Sequence, residues 1–203
     1  MISAQDALQK LREGNARFTA GLDPQGERPH FKAIENQKPS AIILSCSDSR
    51  VPPEMIFDHG IGDLFIVRVA GNIVTPTQIG SVEFAAEKFG SRLVVVLGHT
   101  MCGAIRATLD ELANPTPSRT ENLHSIIDAI SPCLSPLIEA SPHLDEDNMM
   151  HEAMRMNVLN SVNKLQEKSS ILRKHVSEKG LEIIGAEYCV STGAVHFIEQ
   201  TPD

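Results

Sequence analysis

Residues 41–50 read Ala41-Ile42-Ile43-Leu44-Ser45-Cys46-Ser47-Asp48-Ser49-Arg50. Residues 93–103 read Leu93-Val94-Val95-Val96-Leu97-Gly98-His99-Thr100-Met101-Cys102-Gly103. Each is a short apolar run that stops at side chains able to do chemistry. Leu64-Phe65-Ile66-Val67 is a third run of the same kind. The three are continuous rather than alternating, as in strands buried on both faces of a parallel sheet covered by helices. Leu181 to Val190 and Ala194 to Ile198 are two further runs, and Ser191-Thr192-Gly193 between them predicts a hairpin.

The segments between the runs carry helical signals. Ser3 with Asp6 three residues on forms a capping box, which predicts a helix over about residues 4–20 with Gly21 as its stop. Thr75-Pro76-Thr77-Gln78 supplies an N-cap, a proline at the first helical position and a glutamine at the third, and Gly90 ends that helix. Residues 121–140 and 148–179 show helical periodicity, the second stretch closed by Gly180. Ala113 to Pro117 and Ser141-Pro142-His143 read as loops within the domain. The expected fold is α/β, with a mostly parallel central sheet, an antiparallel C-terminal edge strand, flanking helices and an N-terminal helical arm. One domain is expected over residues 1–203, with residues 1–39 as the arm and 40–203 as the α/β core.

Composition narrows the function classes. A chain of 203 residues can bury roughly 70% of its unfolded surface and needs no staples. The 18 basic and 26 acidic residues leave a net charge of −8, with no long basic run. That disfavours nucleic acid and anionic membranes as partners. There is no Trp and one Tyr, so aromatic platforms for single strands are lacking. No apolar stretch approaches the roughly 20 residues of a membrane span, and the N-terminus lacks the pattern of a secretory signal. Four cysteines are too few for a disulfide scaffold. A reducing compartment, the cytoplasm, is the expectation, with cysteine as ligand, nucleophile or core filler. Cys133, between two prolines, reads as incidental in a polar loop, and Cys189 as core in a strand. The methionines at 149, 150, 154 and 156 read as packing.

In a parallel sheet the carboxyl ends of the strands open onto one edge, where ligands bind. Cys46, His99 and Cys102 can therefore converge, although Cys46 and His99 are 53 residues apart. Two thiolates and an imidazole are a zinc donor set, and three protein ligands with an open position mark a catalytic site. Taken alone, His-x-x-Cys is equally well a strand-end histidine near a small buried cysteine. The joint placement of both segments at strand ends favours the metal. Cys46, Asp48 and Arg50 alternate along an extended segment and so share one side. Asp48 can be a fourth ligand or an acceptor beside the metal, and Arg50 can hold it bidentately and ionised. An exposed loop ion pair of little energetic weight is the alternative. His30, His59, His124, His143, His151, His175 and His196 are read as ordinary surface residues, though any could shuttle a proton.

The same residues resemble the β-class carbonic anhydrases. The likeness is carried by Cys46-Ser47-Asp48-Ser49-Arg50-Val51, Gly62-Asp63-Leu64-Phe65, Val67-Arg68, Ala70-Gly71-Asn72 and Gly98-His99-x-x-Cys102-Gly103-Ala104. Leu11 to Phe18 and the closing hairpin with Gly185, Tyr188 and Thr192-Gly193 are similar too, so it spans nearly the whole chain. The resemblance implies one zinc per chain on Cys46, His99 and Cys102, with Asp48 and Arg50 as a dyad. It implies reversible hydration of carbon dioxide to bicarbonate and a proton by zinc-bound hydroxide. Asp48 would become a fourth ligand in a closed state. Gly103 would turn a backbone N–H towards the metal, and Gln37 would point at the substrate. Phe65 and Phe84 would line an apolar cleft, often across a dimer interface. A homodimer or tetramer is implied.

Val69 stands where many members have Asn, and Phe84 where some have Tyr. A regulatory bicarbonate pocket that uses Trp is not expected in a chain without one. Because two thiolates cancel the zinc charge, activity is expected to rise towards alkaline pH. Three other readings compete: hydrolysis of carbonyl sulfide or carbon disulfide, a metal or redox sensor without turnover, and a nucleotide-binding domain. The last is weakened because no glycine-rich phosphate loop follows any predicted strand.

Overall fold

The three continuous runs become neighbouring parallel strands. In the computed structural model, which describes residues 2–20, 37–115 and 120–198, β1 (Ala41–Ser45) lies between β2 (Leu64–Arg68) and β3 (Leu93–His99). β3 pairs in parallel with β4 (Glu182–Tyr188), and β5 (Val195–Ile198) closes the sheet antiparallel to β4. The order is β2-β1-β3-β4-β5, a mostly parallel sheet with one antiparallel edge, as expected. Every residue of β1 and β3 is buried, which explains their unbroken apolar composition, whereas the edge strand β2 is only partly covered.

Helices cover both faces. Ile42, Leu44, Val94 and Val96 point to one side, against Val82 of α3 (Pro76–Phe89), Val158 and Leu165 of α6 (Glu146–Lys168) and Leu172 of α7 (Ser170–Lys179). Ala41, Ile43, Val95 and Leu97 point to the other, against Ala7 and Leu11 of α1 (Ala4–Thr19) and Ile56 of the short α2 (Pro53–Ile56). α4 (Gly103–Ala113), α5 (Glu121–Ala140) and the start of α6 build a third cluster over the carboxyl end of the sheet, which includes Cys46 and Cys102. No helix among the described residues is long and apolar enough to cross a membrane.

The capping signals hold. Ser3 and Asp6 form the expected box, and Gly90 and Gly180 end their helices in the left-handed conformation, with φ of 68° and 66°. Gly21, His30 and residues 116 and 117 of the expected loop lie outside the described residues.

Five expectations change. The helical stretch 148–179 starts earlier, at Glu146 behind the Asp145 cap, and is broken at Ser169. Ser169 leaves the helical region (φ −119°, ψ 111°), accepts a hydrogen bond from the Leu172 N–H at 2.9 Å and donates to Glu83. A serine that caps its own chain competes with helix continuation. Cys133 is not in a loop: α5 runs through Pro132 and Pro136, and the Cys133 thiol donates to the Ile130 carbonyl. Ser131, Ser135 and Lys164 donate to the carbonyls of Ile127, Ser131 and Ala129, so side chains add hydrogen bonds to this helix around its prolines. Cys189 lies beyond the end of β4, at the half-buried hairpin turn, with Sγ 3.2 Å from the Ser191 hydroxyl. His175 is buried rather than a surface residue. Met150 and Met154 pack as expected, while Met156 is exposed.

Candidate metal centre

Chain direction reverses between β1 and β3. From β1 the chain crosses to β2 on one side, and β3 leads on to β4 on the other. Their adjacent carboxyl ends therefore form the crevice at which α/β sheets bind ligands. Cys46 immediately follows β1, His99 ends β3, and Cys102 is the N-cap residue of α4. They are 5%, 0% and 1% exposed, and their ligand atoms all lie within 4.8 Å of one another.

Neighbouring groups aim these side chains. His99 Nδ1 is 2.9 Å from the Thr100 carbonyl, which suits a proton on Nδ1 and leaves the lone pair on Nε2. The Nε2 atom is buried with no hydrogen-bond partner among the described residues. The Thr100 N–H donates to the Tyr188 carbonyl and its hydroxyl accepts from the Val190 N–H, so the β4 end fixes the loop after β3. Met101 then turns through φ 57° and delivers Cys102. Cys46 Sγ accepts a hydrogen bond from the Gly71 N–H at 3.4 Å.

The dyad is formed. Arg50 Nε lies 2.9 Å from Asp48 Oδ1 and its terminal nitrogen 2.7 Å from Oδ2, a two-point clasp joined by the Arg50 backbone N–H at 2.9 Å. The clasped Asp48 Oδ2 is 3.9 Å from His99 Nε2, beside the donor set. Arg50 also donates to the Met101 carbonyl, tying the two strand-end loops together. Arg68, at the end of β2, donates to the carbonyls of Cys46 and Asp48 and holds their backbone.

The electrostatics match this geometry. The Arg50 hydrogen bonds hold the Asp48 carboxyl far below the usual carboxylate range, against a smaller opposing effect of burial. In the pair of cysteines, the Cys102 thiol donates to Cys46 and lowers it to about 4, helped by His99 and Gly71 against burial. The same shared hydrogen, with burial, pushes Cys102 up. One buried thiolate, a second thiol in contact with it and an unpartnered imidazole lone pair suit a divalent cation of zinc's softness. A tetrahedral zinc with ligands at about 2.0–2.3 Å needs donors about 3.4–3.8 Å apart, which the 4.8 Å limit accommodates.

The other expected site residues lie elsewhere in the chain. Gly103, the first residue of α4, is exposed, and a Cβ there would meet nothing within 4 Å. Phe65 pairs with Ile42, four residues before Cys46, so it sits roughly 13 Å along the strand direction from the level of Cys46. Phe84 on α3 is 53% exposed, and its ring centroid is 6.3 Å from that of Phe65. Gln37 is exposed and precedes β1, at the opposite end of that strand from Cys46. Sequence reasoning gave no role to Arg68, Thr100 or Gly71, whose hydrogen bonds reach Cys46, Asp48 or His99. Arg68 and Gly71 entered it only as parts of the resemblance, and Thr100 not at all.

An α/β protein with two cysteine sulfurs and an imidazole converging at its sheet switch point, and a clasped carboxylate beside them, has the make-up of a metalloenzyme. Residues 41–195 match the sequence model of the family described as carbonic anhydrase. The chain belongs to the β-class carbonic anhydrase family, lyases whose general reaction is the hydration of carbon dioxide. A carbonic anhydrase of Mycolicibacterium smegmatis is 34% identical over 194 residues, covering 93% of this chain and 90% of the relative. Carbonic anhydrase 2 of Mycobacterium tuberculosis is 34% identical over 191 residues, covering 92% and 89%. Among solved structures, the β-carbonic anhydrase CafA of Aspergillus fumigatus superposes with a TM-score of 0.76 at 24% identity, over 98% of this chain and 92% of that one. One of two tetrameric β-carbonic anhydrases from Sordaria macrospora gives 0.72 at 24% identity, over 81% and 82%. At these identities the two structures show a common fold.

Proposed function

We propose that this chain catalyses the zinc-dependent, reversible hydration of carbon dioxide to bicarbonate and a proton. The observation that carries the reading is the Asp48 carboxylate, clasped by Arg50 and 3.9 Å from the unpartnered Nε2 of His99. Cys46, His99 and Cys102 are the ligands. Zinc bound there would lower the pKa of a coordinated water from 15.7 towards about 7 and so supply the nucleophile.

The chain's own residues do the rest. Asp48 accepts a hydrogen bond from the attacking oxygen and turns a lone pair towards the substrate carbon. Arg50 keeps Asp48 ionised and turned away from the ligand set. An Asp48 released from Arg50 would become a fourth ligand, the closed state. Because Asp48 is held so far below the usual range, it orients but stores no proton at neutral pH, and the released proton passes to solvent. Gly103 would offer its backbone N–H beside the metal.

Gln37, Phe65 and Phe84 lie away from the carboxyl edge of their own chain, and Phe84 is exposed. They would serve as cleft residues for a second copy, which fits a homodimer or tetramer. The four free thiols fit a reducing compartment, the cytoplasm. Stopped-flow hydration between about pH 6.5 and about pH 9, with metal measured on the same sample, tests the reading. One zinc per chain and a rate rising with pH are expected. Absence of turnover in zinc-loaded protein would overturn it.

A further inference from the structure

A 3-10 turn, Ala70–Asn72, lies between Cys46 and α6. Gly71 is held at both ends: its N–H donates to Cys46 Sγ at 3.4 Å, and its carbonyl accepts from Asn157 Nδ2 at 2.8 Å. The next carbonyl, that of Asn72, accepts from the Ser161 hydroxyl at 3.0 Å. Asn157 and Ser161 are four residues apart and so share one face of α6. Each is only 1% exposed.

The turn depends on this support. Gly71 and Asn72 adopt consecutive positive φ values of 69° and 43°, the first natural to glycine and the second uncommon for a residue with a side chain. A Cβ on Gly71 would lie 2.9 Å from Ile130 Cδ1 and 3.0 Å from Ala104 Cβ, so α5 and α4 close the remaining side. On α6, Asn157 and Ser161 are polar interruptions among Met154, Val158, Val162 and Leu165, which are core. A buried amide and hydroxyl in such company cost stability unless bonded. Both donate to the backbone of one turn.

We infer that Asn157, seconded by Ser161, is a positioning residue of the metal centre: it fixes the Gly71 peptide so that its N–H meets the Cys46 sulfur. The inference rests on the reading of Cys46 as a metal ligand. A hydrogen bond to a ligating thiolate orients the sulfur lone pair and withdraws electron density from it. Such outer partners are worth about 10–100-fold in metal affinity.

The full chain and three variants, Asn157→Ala, Ser161→Ala and Leu165→Val, are titrated with cobalt(II) while thiolate-to-cobalt charge transfer is followed. Zinc affinity is measured against a competing chelator. Asn157→Ala is expected to lose about tenfold or more in zinc affinity. Its charge-transfer band should move to lower energy, because a sulfur without its donor is more electron-rich. Ser161→Ala is expected to show the same changes at smaller size, and it decides the matter if Asn157→Ala does not fold. Leu165→Val damages the same helix away from the turn and should lower the melting temperature without moving band or affinity. Unchanged band and affinity in the Asn157 and Ser161 variants would overturn the proposal, as would an equal change in Leu165→Val. A wild-type chain that binds cobalt without thiolate charge transfer would overturn the metal-centre reading, and this proposal with it.

Discussion

Among the described residues, Arg50 forms its hydrogen bonds with the Asp48 carboxylate and the Met101 carbonyl, and with none of Cys46, His99 and Cys102. Arg50→Ala should therefore keep its zinc and lose activity by about a hundredfold, the scale of a lost orienting hydrogen bond in the transition state. Metal analysis and stopped-flow assays on one sample check this, and loss of zinc along with activity would contradict it. Asp48→Asn complements the test, because an amide is a poor ligand and cannot form the closed state. A different titration concerns stability. Burial lowers His175, and Lys179, whose Nζ lies 3.0 Å from His175 Nε2, adds to this. Lys174 acts in the same direction, and Glu87 and Glu178 oppose it. A histidine lowered in the folded state contributes its full stability above its ordinary value near 6.5 and loses it as pH falls through that value. Melting temperatures at about pH 7.5 and about pH 5.5 should thus differ less in His175→Gln than in the parent. The Cys46, His99 and Cys102 cluster and the Asp48–Arg50 pair were legible in the sequence, since their residue types stand together at strand ends. His175 was not, because burial of a surface-type residue depends on how α7 packs.

Among the elements, α6 approaches the sheet closely because two strands offer it glycine. A Cβ on Gly98 of β3 would lie 2.4 Å from Val158 Cγ2, and one on Gly185 of β4 would lie 2.7 Å from Val158 Cγ1. Gly98→Ala should destabilise the chain by about 1–3 kcal/mol through overpacking. It should also disturb His99, the next residue, and weaken zinc binding. Val158→Ala in the same background is expected to recover part of both losses, which denaturant titration and metal analysis would reveal. No recovery would place the strain elsewhere than at Val158. Capping residues predicted α1, α3 and the end of α7 because their effects are local. The break at Ser169 and the proline-bearing helix α5 escaped prediction. Both depend on side-chain hydrogen bonds, from Ser169 to Glu83 and from Lys164 to Ala129, between residues far apart in the chain.

For the whole molecule, the open question is what covers the apolar face of α3 and β2. Phe65, Phe84 and Phe89 form a ring cluster with centroids 5.7–6.3 Å apart, and Phe84 leaves half its surface exposed. With a second copy seated there, Phe84→Glu should yield a smaller assembly with low activity that still holds zinc. Sedimentation and metal analysis read both outcomes, and an unchanged assembly would remove Phe84 from the interface. The sequence by itself determined the class of fold, the helix boundaries set by caps and the candidate donor set. Each of these is written in residues near one another or in the type of residue alone. Only the tertiary structure decided that donors 53 residues apart meet, because that depends on β1 and β3 being neighbours at the switch point. Only the tertiary structure, likewise, placed Asn157 behind Gly71, 86 residues away. A buried hydrogen bond between remote residues leaves no periodic trace in a chain, since its energy arises only after the surrounding apolar surfaces have packed.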